Sequence, residues 1–229
     1  MNKVTSINDA ISTIKDGQTI MVGGFGVPGT PFMLIEALLQ QGTKHLTLIK
    51  NEANEPHLGV SKLIEAGRVD RLITSHLGLN TTVLEMMNHK KIAVEFNPQG
   101  ILVERIRCGG AGLIGFISDI GIDTVLSQNK PVITLNGQKG IVESALRADV
   151  AMIHAAVGDD LGNLVYEKSA RNFNPAMATA ADMVIAEVES IVDTGSLDPD
   201  AIHTPSAFVD RVVKIGKLRD EYGILEHHV

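Results

Sequence analysis

The first hundred residues alternate short apolar runs with amphipathic stretches, and this rhythm most narrows the fold. Residues 19–22, 46–49, 72–74 and 92–96 are apolar runs of strand length. Between them, residues 6–15, the stretch from Thr30-Pro31 to Gly42, and residues 58–66, 81–88 and 101–107 carry apolar side chains at helical spacing. Ser6 is expected to cap the first helix and Thr30 the second, with Pro31 at its first helical position. Strands separated by single helices build βαβ units, so the expectation is an α/β fold with a mostly parallel sheet and flanking helices.

The second half is less regular and richer in strands. Gly109-Gly110-Ala111-Gly112 reads as a flexible loop. Residues 131–135 and 141–143, joined through Asn136-Gly137, read as a hairpin, because Asn-Gly favours the tight turn. Residues 150–155, 163–166 and 183–188 read as further strands. No repeat, linker or low-complexity tract divides the chain, so residues 1–229 are expected to form a single domain. Residues 225–228 resemble part of an appended tag, although Val229 follows them.

Charge and composition exclude several classes of function. Lys and Arg number 20 against 27 Asp and Glu, a formal net charge of −7 without any basic run. Such a chain is not expected to bind nucleic acid or an anionic membrane, both of which need clustered cations. Aromatics are only 3% of residues, too few for a base-stacking platform. Cys108 is the only cysteine, so no intramolecular disulfide exists and a cytoplasmic location is expected. The eight His residues lack the spacing of a metal site, and no metal is expected. His76, after the third strand, reads as an exposed or satisfied side chain, and Cys108 as a small buried one. Leu84, Met86 and Met87 read as helix core and Asp159-Asp160 as a solvated turn.

The main functional clue lies between the first strand and its helix, where Gly23-Gly24-Phe25-Gly26-Val27-Pro28-Gly29 precedes Thr30-Pro31. Open α/β sheets bind ligands at this place, beside the carboxyl ends of strands. Gly24, Gly26 and Gly29 even spell the dinucleotide pattern G-x-G-x-x-G, with Glu52 standing where a ribose partner would. Pro28 and Pro31 oppose that match, because prolines beyond a helix's first turn cost about 3 kcal/mol. The helix is therefore expected to start at Thr30-Pro31, after a long open loop. From the residues alone, a plain glycine turn and a ligand loop both remain open.

Several ordered motifs then carry a resemblance. Asp16-Gly17, the apolar Ile20-Met21-Val22, Gly23-Gly24-Phe25 and, after three residues, Gly29-Thr30-Pro31 resemble the signature of the α subunit of family I CoA-transferases. Asn97-Pro98-Gln99-Gly100, Arg107-Cys108-Gly109-Gly110-Ala111-Gly112, Leu161-Gly162-Asn163-Leu164 and Ala170-Arg171-Asn172-Phe173-Asn174-Pro175 are similar to further blocks of that family. The resemblance runs almost end to end.

It implies an enzyme that moves CoA from a short-chain acyl-CoA to a carboxylic acid such as acetate or acetoacetate. The route it implies is ping-pong, through a glutamyl-CoA thioester, with CoA as substrate and no permanently bound cofactor. The nucleophilic glutamate belongs to a Ser-Glu-Asn-Gly motif of a partner β subunit, and this chain has no such motif, so no catalytic residue is expected here. Glu52 and Glu55 read as loop carboxylates. Carried over residue by residue, Gly23, Gly24, Phe25, Gly26, Val27, Pro28 and Gly29 are the CoA-binding loop, while Asn51 and Gln99 contact the substrate carboxylate. A succinyl-CoA:3-oxoacid specificity is the alternative within that chemistry. A dinucleotide-binding oxidoreductase and a ligand-sensing regulatory domain are the alternatives outside it.

Overall fold

The computed structural model describes residues 2–78 and 80–216. Its first half is the expected alternation: α1 (Ile7–Ile11), β1 (Thr19–Val22), α2 (Phe32–Gln41), β2 (Leu46–Ile49), α3 (Val60–Glu65), β3 (Val69–Thr74), α4 (Thr81–Asn88), β4 (Ala93–Phe96) and α5 (Gln99–Gly110). The second half adds β5 (Gly115–Ser118), β6 (Val132–Leu135), β7 (Gln138–Ser144), β8 (Ala148–Asp159), β9 (Leu164–Val165), α6 (Asn174–Thr179), β10 (Ala181–Val192) and β11 (Arg211–Lys214). The main sheet runs β11-β10-β8-β1-β2-β3-β4, every neighbour parallel, with β9 antiparallel on the end of β8. β5, β7 and β6 form a separate antiparallel sheet.

The sheet is buried on both faces because successive strand residues point to opposite sides. Ile20 and Val22 join the core under α1 to α4, while Met21 joins the one shared with α5 and α6. β1 is the switch point of this order, since the chain leaves it toward β2 and later returns to its other side as β8. Crevices at such points, beyond the strands' carboxyl ends, are where open α/β sheets take ligands.

Several sequence expectations are corrected by packing. Gly109 and Gly110 end α5 instead of forming a loop. A side chain at Gly109 would strike the carbonyl of Leu146, so the glycine serves close approach, not flexibility. α1 covers only part of residues 6–15, although Ser6 does cap it by accepting from the Asp9 N–H. Leu84 is 43% exposed, whereas Met86 and Met87 pack partly against the core. Asp159 is buried, not solvated, accepting from the backbone N–H groups of Leu161 and Asn163 to shape the turn after β8. The Asn136-Gly137 hairpin forms as expected, both residues adopting positive φ (51° and 80°) between β6 and β7. Residues 225–228 lie outside the described residues.

Arg105 fixes α5 against the carboxyl edge of β4. Its Nη1 donates to Glu95 Oε1 and Asn97 Oδ1, both at 2.6 Å, and its Nε to the Ser144 carbonyl at 2.8 Å. Burial opposes the charge of Glu95, but Arg105 and then Arg71 outweigh it and hold the carboxyl below its ordinary range.

Candidate functional site

The loop after β1 is held from beneath by its carbonyls. Lys50 Nζ donates to the Gly23 carbonyl (3.0 Å), Asn54 Nδ2 to that of Gly26 (2.8 Å), Asn172 Nδ2 to that of Pro28 (2.9 Å) and Asn174 Nδ2 to that of Gly29 (3.1 Å). Two loop N–H groups turn inward, Phe25 to the Pro28 carbonyl and Thr30 to the Val27 carbonyl. Among the described residues, the N–H groups of Gly24, Gly26, Val27 and Gly29 have no acceptor. A loop whose carbonyls are engaged and whose N–H groups are free presents positive partial charge to a phosphate or carbonyl oxygen. Gly29 is required here: its φ is +75° and a side chain would strike the Ala170 carbonyl.

Thr30 does not cap α2, as the sequence suggested. Pro31 occupies the cap position without a side-chain bond, and the helix begins at Phe32. The Thr30 hydroxyl instead donates to the Gly26 carbonyl and accepts from Lys50, cross-bracing the loop. Because the helix starts three residues beyond Gly29, the dinucleotide geometry, with the helix already under way at the third glycine, is absent.

Beneath one side of the loop lies a chain of polar groups from the ends of β2, β3 and α5. Lys50, wholly buried, pairs with Glu52 Oε1 at 3.2 Å. Burial pushes its ammonium below the usual value, and the facing Glu52 carboxylate pulls it back. Glu52 Oε2 accepts from Asn51 Nδ2 at 2.6 Å. Asn51 Oδ1 in turn accepts from Gln99 Nε2 at 2.9 Å and Ser75 Oγ at 3.0 Å. Asn51 is buried and Gln99 exposed. Thus two residues 48 positions apart, picked out separately in the sequence, meet as a bonded pair. Glu52 is not a free loop carboxylate, being 8% exposed, whereas Glu55 is exposed. His76 is exposed, and its Nδ1 lies 2.8 Å from Ser75 Oγ.

On the other side of the loop stands an acid-base cluster from β8 and β10. His154 Nδ1 meets Glu187 Oε1 at 3.0 Å and its Nε2 meets Glu189 Oε1 at 3.1 Å. Burial disfavours charge on the imidazole, but the bonds to Glu187 and Glu189 outweigh it, so its pKa is raised from 6.5 to about 9. Glu187 is wholly buried, and its Oε2 accepts from the Leu34 N–H at 3.0 Å. It thereby supplies the carboxylate cap of α2 that no nearby residue provides. Two open hollows flank the loop, the first lined by Val27, Phe32, His154 and Glu189, the second by Gly26, Glu52, Asn54 and His76.

Sequence reasoning missed Lys50, His154 and Glu187, and it met Asn172 and Asn174 only as part of a family block, without their role of bracing the loop. A lysine directly behind the apolar run 46–49 was the available signal for the first. Glu187, inside the apolar run 183–188, was a similar signal, since a carboxylate in a central strand needs a partner.

Loop and sheet together define an α/β protein with a candidate ligand site at the carboxyl ends of a parallel sheet. The chain belongs to the coenzyme A transferase family, whose model matches residues 4–215. It is 46% identical over 211 residues to the alpha subunit of the acetate CoA-transferase of Escherichia coli, covering 92% of this chain and 96% of that one. It is 39% identical over 213 residues to the alpha subunit of the acetoacetyl-CoA:acetate/butyrate CoA transferase of Clostridium acetobutylicum, covering 93% of this chain and 98% of that one. An acyl-CoA transferase from E. coli O157:H7, YdiF, solved as a thioester complex with CoA, shares the fold with a TM-score of 0.86 at 24% identity. That match takes in 95% of this chain and 48% of YdiF, so this chain spans about half the length of that protein.

Proposed function

We propose that this chain is the α subunit of a heteromeric CoA-transferase that moves CoA between a short-chain acyl-CoA and a carboxylic acid such as acetate or acetoacetate. The observation that carries the reading is the glycine loop with its carbonyls tied down and four N–H groups free, next to the bonded amides of Asn51 and Gln99. Family membership and the 46% identity to the α chain of an acetate CoA-transferase support it.

In this reading residues 23–29 receive CoA, their free N–H groups meeting oxygens of the carrier, and Gln99 with Asn51 receives the acid's carboxylate. The partner β subunit brings the nucleophilic glutamate. Its carboxylate attacks the thioester carbon, giving an acyl-glutamyl anhydride and CoA thiolate. The thiolate then attacks the glutamyl carbonyl, releasing the first acid and leaving glutamyl-CoA thioester, and the second acid reverses the sequence. The thioester's energy is conserved throughout, and binding along the CoA chain stabilises the covalent states.

The chain acts as a single domain whose two cores share one sheet, and CoA enters as substrate on a route that needs no permanently bound cofactor. Among the described residues no helix is long and apolar enough to cross a membrane. With the single cysteine, this accords with a cytoplasmic enzyme. The test is an assay of CoA transfer from acetyl-CoA to acetoacetate. The chain by itself is expected to be inactive, and to become active when co-expressed with a β partner that carries Ser-Glu-Asn-Gly. Full activity of the lone chain contradicts the reading. A succinate arm in the same assay tests the alternative acid.

A further inference from the structure

The amide of an asparagine or glutamine offers an acceptor at one end and donors at the other, so a bonded pair of them can run in either direction. In the chain Lys50–Glu52–Asn51–Gln99 the direction is fixed from one end. An ammonium only donates and an ionised carboxylate only accepts. Glu52 therefore accepts from Lys50 Nζ on one oxygen (3.2 Å) and must face Asn51 Nδ2 with the other (2.6 Å). That turns Asn51 Oδ1 toward Gln99 and Ser75, and compels Gln99 to answer with Nε2. Gln99 is left with one amide N–H and its Oε1 unspent, at the exposed start of α5.

We propose that Glu52 is a positioning residue that sets the amide polarity of Asn51 and, through it, presents Gln99 as an N–H donor to the acceptor acid. The inference rests on the reading of Asn51 and Gln99 as the carboxylate contacts. Lys50 serves the same purpose by standing as a donor against the other Glu52 oxygen, and by its bond to the Gly23 carbonyl it couples the amide pair to the glycine loop. Replacing Glu52 by glutamine keeps the shape but lets the position donate as well as accept, which frees both amides to turn over.

The test uses the complete enzyme with its β subunit. In Glu52→Gln the KM for the acceptor acid is expected to rise about tenfold, as for loss of one charge-assisted hydrogen bond, with kcat and the KM for acyl-CoA within about twofold. Glu52→Asp, still an obligate acceptor, is expected to recover most of the loss. Adding Glu52→Gln to Gln99→Ala is expected to worsen the acid KM by less than about twofold, because the residue acts through Gln99. If Glu52→Gln leaves Lys50 too poorly paired to fold, Lys50→Met/Glu52→Gln removes the stranded charge and is expected to show the same rise in acid KM, beside a rise in the acyl-CoA KM from the lost bond to the Gly23 carbonyl. A normal acid KM in the folded Glu52 variant beside an impaired Gln99→Ala overturns this inference alone. So does full additivity, or a collapse of kcat with unchanged acid KM. An unaffected Gln99→Ala removes the underlying reading and this inference with it.

Discussion

The two sides of the glycine loop solve the same problem, a buried charge, in opposite ways. On one side Lys50 and Glu52 are next-but-one neighbours in sequence, and their charges are spent on a loop carbonyl and on an amide that faces the site. On the other, His154, Glu187 and Glu189 come from two strands, and Glu187 also holds the first turn of α2. In the proposed reading the first cluster orients groups for ligand, while the second fixes the framework on which the loop rests. His154, its pKa raised to about 9, stays charged through neutral pH.

The sharpest way to break this contrast is Glu187→Ala. It strips the α2 N-terminus and leaves His154 half-paired, and the expected loss is about 3–5 kcal/mol in denaturant unfolding. A loss below about 1 kcal/mol contradicts a framework role. Next in size is Gln99→Ala on the other side, expected to lower kcat/KM for the acceptor acid by about 2 kcal/mol, roughly thirtyfold, with little change in unfolding. The pH profile sharpens the contrast further. Because the folded pKa of His154 lies above its ordinary 6.5, its contribution is fully present below that value and fades as pH rises through about 9. Glu189, held below its ordinary 4.5 chiefly by the bond to His154, acts in the other sense, its contribution fading on acidification. Unfolding free energy measured from pH 7 to 10 is therefore expected to fall by on the order of 1–3 kcal/mol, and His154→Gln to remove that slope. The smallest effect is expected for Thr30→Val, about 1 kcal/mol, read as a modest drop in Tm from the lost brace across the loop.

The parallel framework was legible because its signals are local: apolar runs of strand length, helical spacing between them, and Asn136-Gly137 for the hairpin. Asn51 and Gln99 were legible as strand-end polar residues through family motifs. The charged clusters were not, because what matters at Lys50, His154 and Glu187 is burial, and burial depends on strand order. β8 and β10 pair with each other, and β8 pairs with β1 across more than a hundred residues, which brings Glu187 under α2. Gly109 and Gly110 were misread for the same reason, since a glycine at a tight helix contact and a glycine in a loop look alike until the partner carbonyl is in place.

That the two sides of the loop have separate tasks is tested most directly by the acceptor-acid KM of Gln99→Ala and His154→Gln in the enzyme reconstituted with its β subunit. Gln99→Ala is predicted to raise this KM about tenfold or more, consistent with loss of a carboxylate hydrogen bond, while His154→Gln leaves it within about twofold and lowers stability instead. An equal rise in both variants would contradict the division.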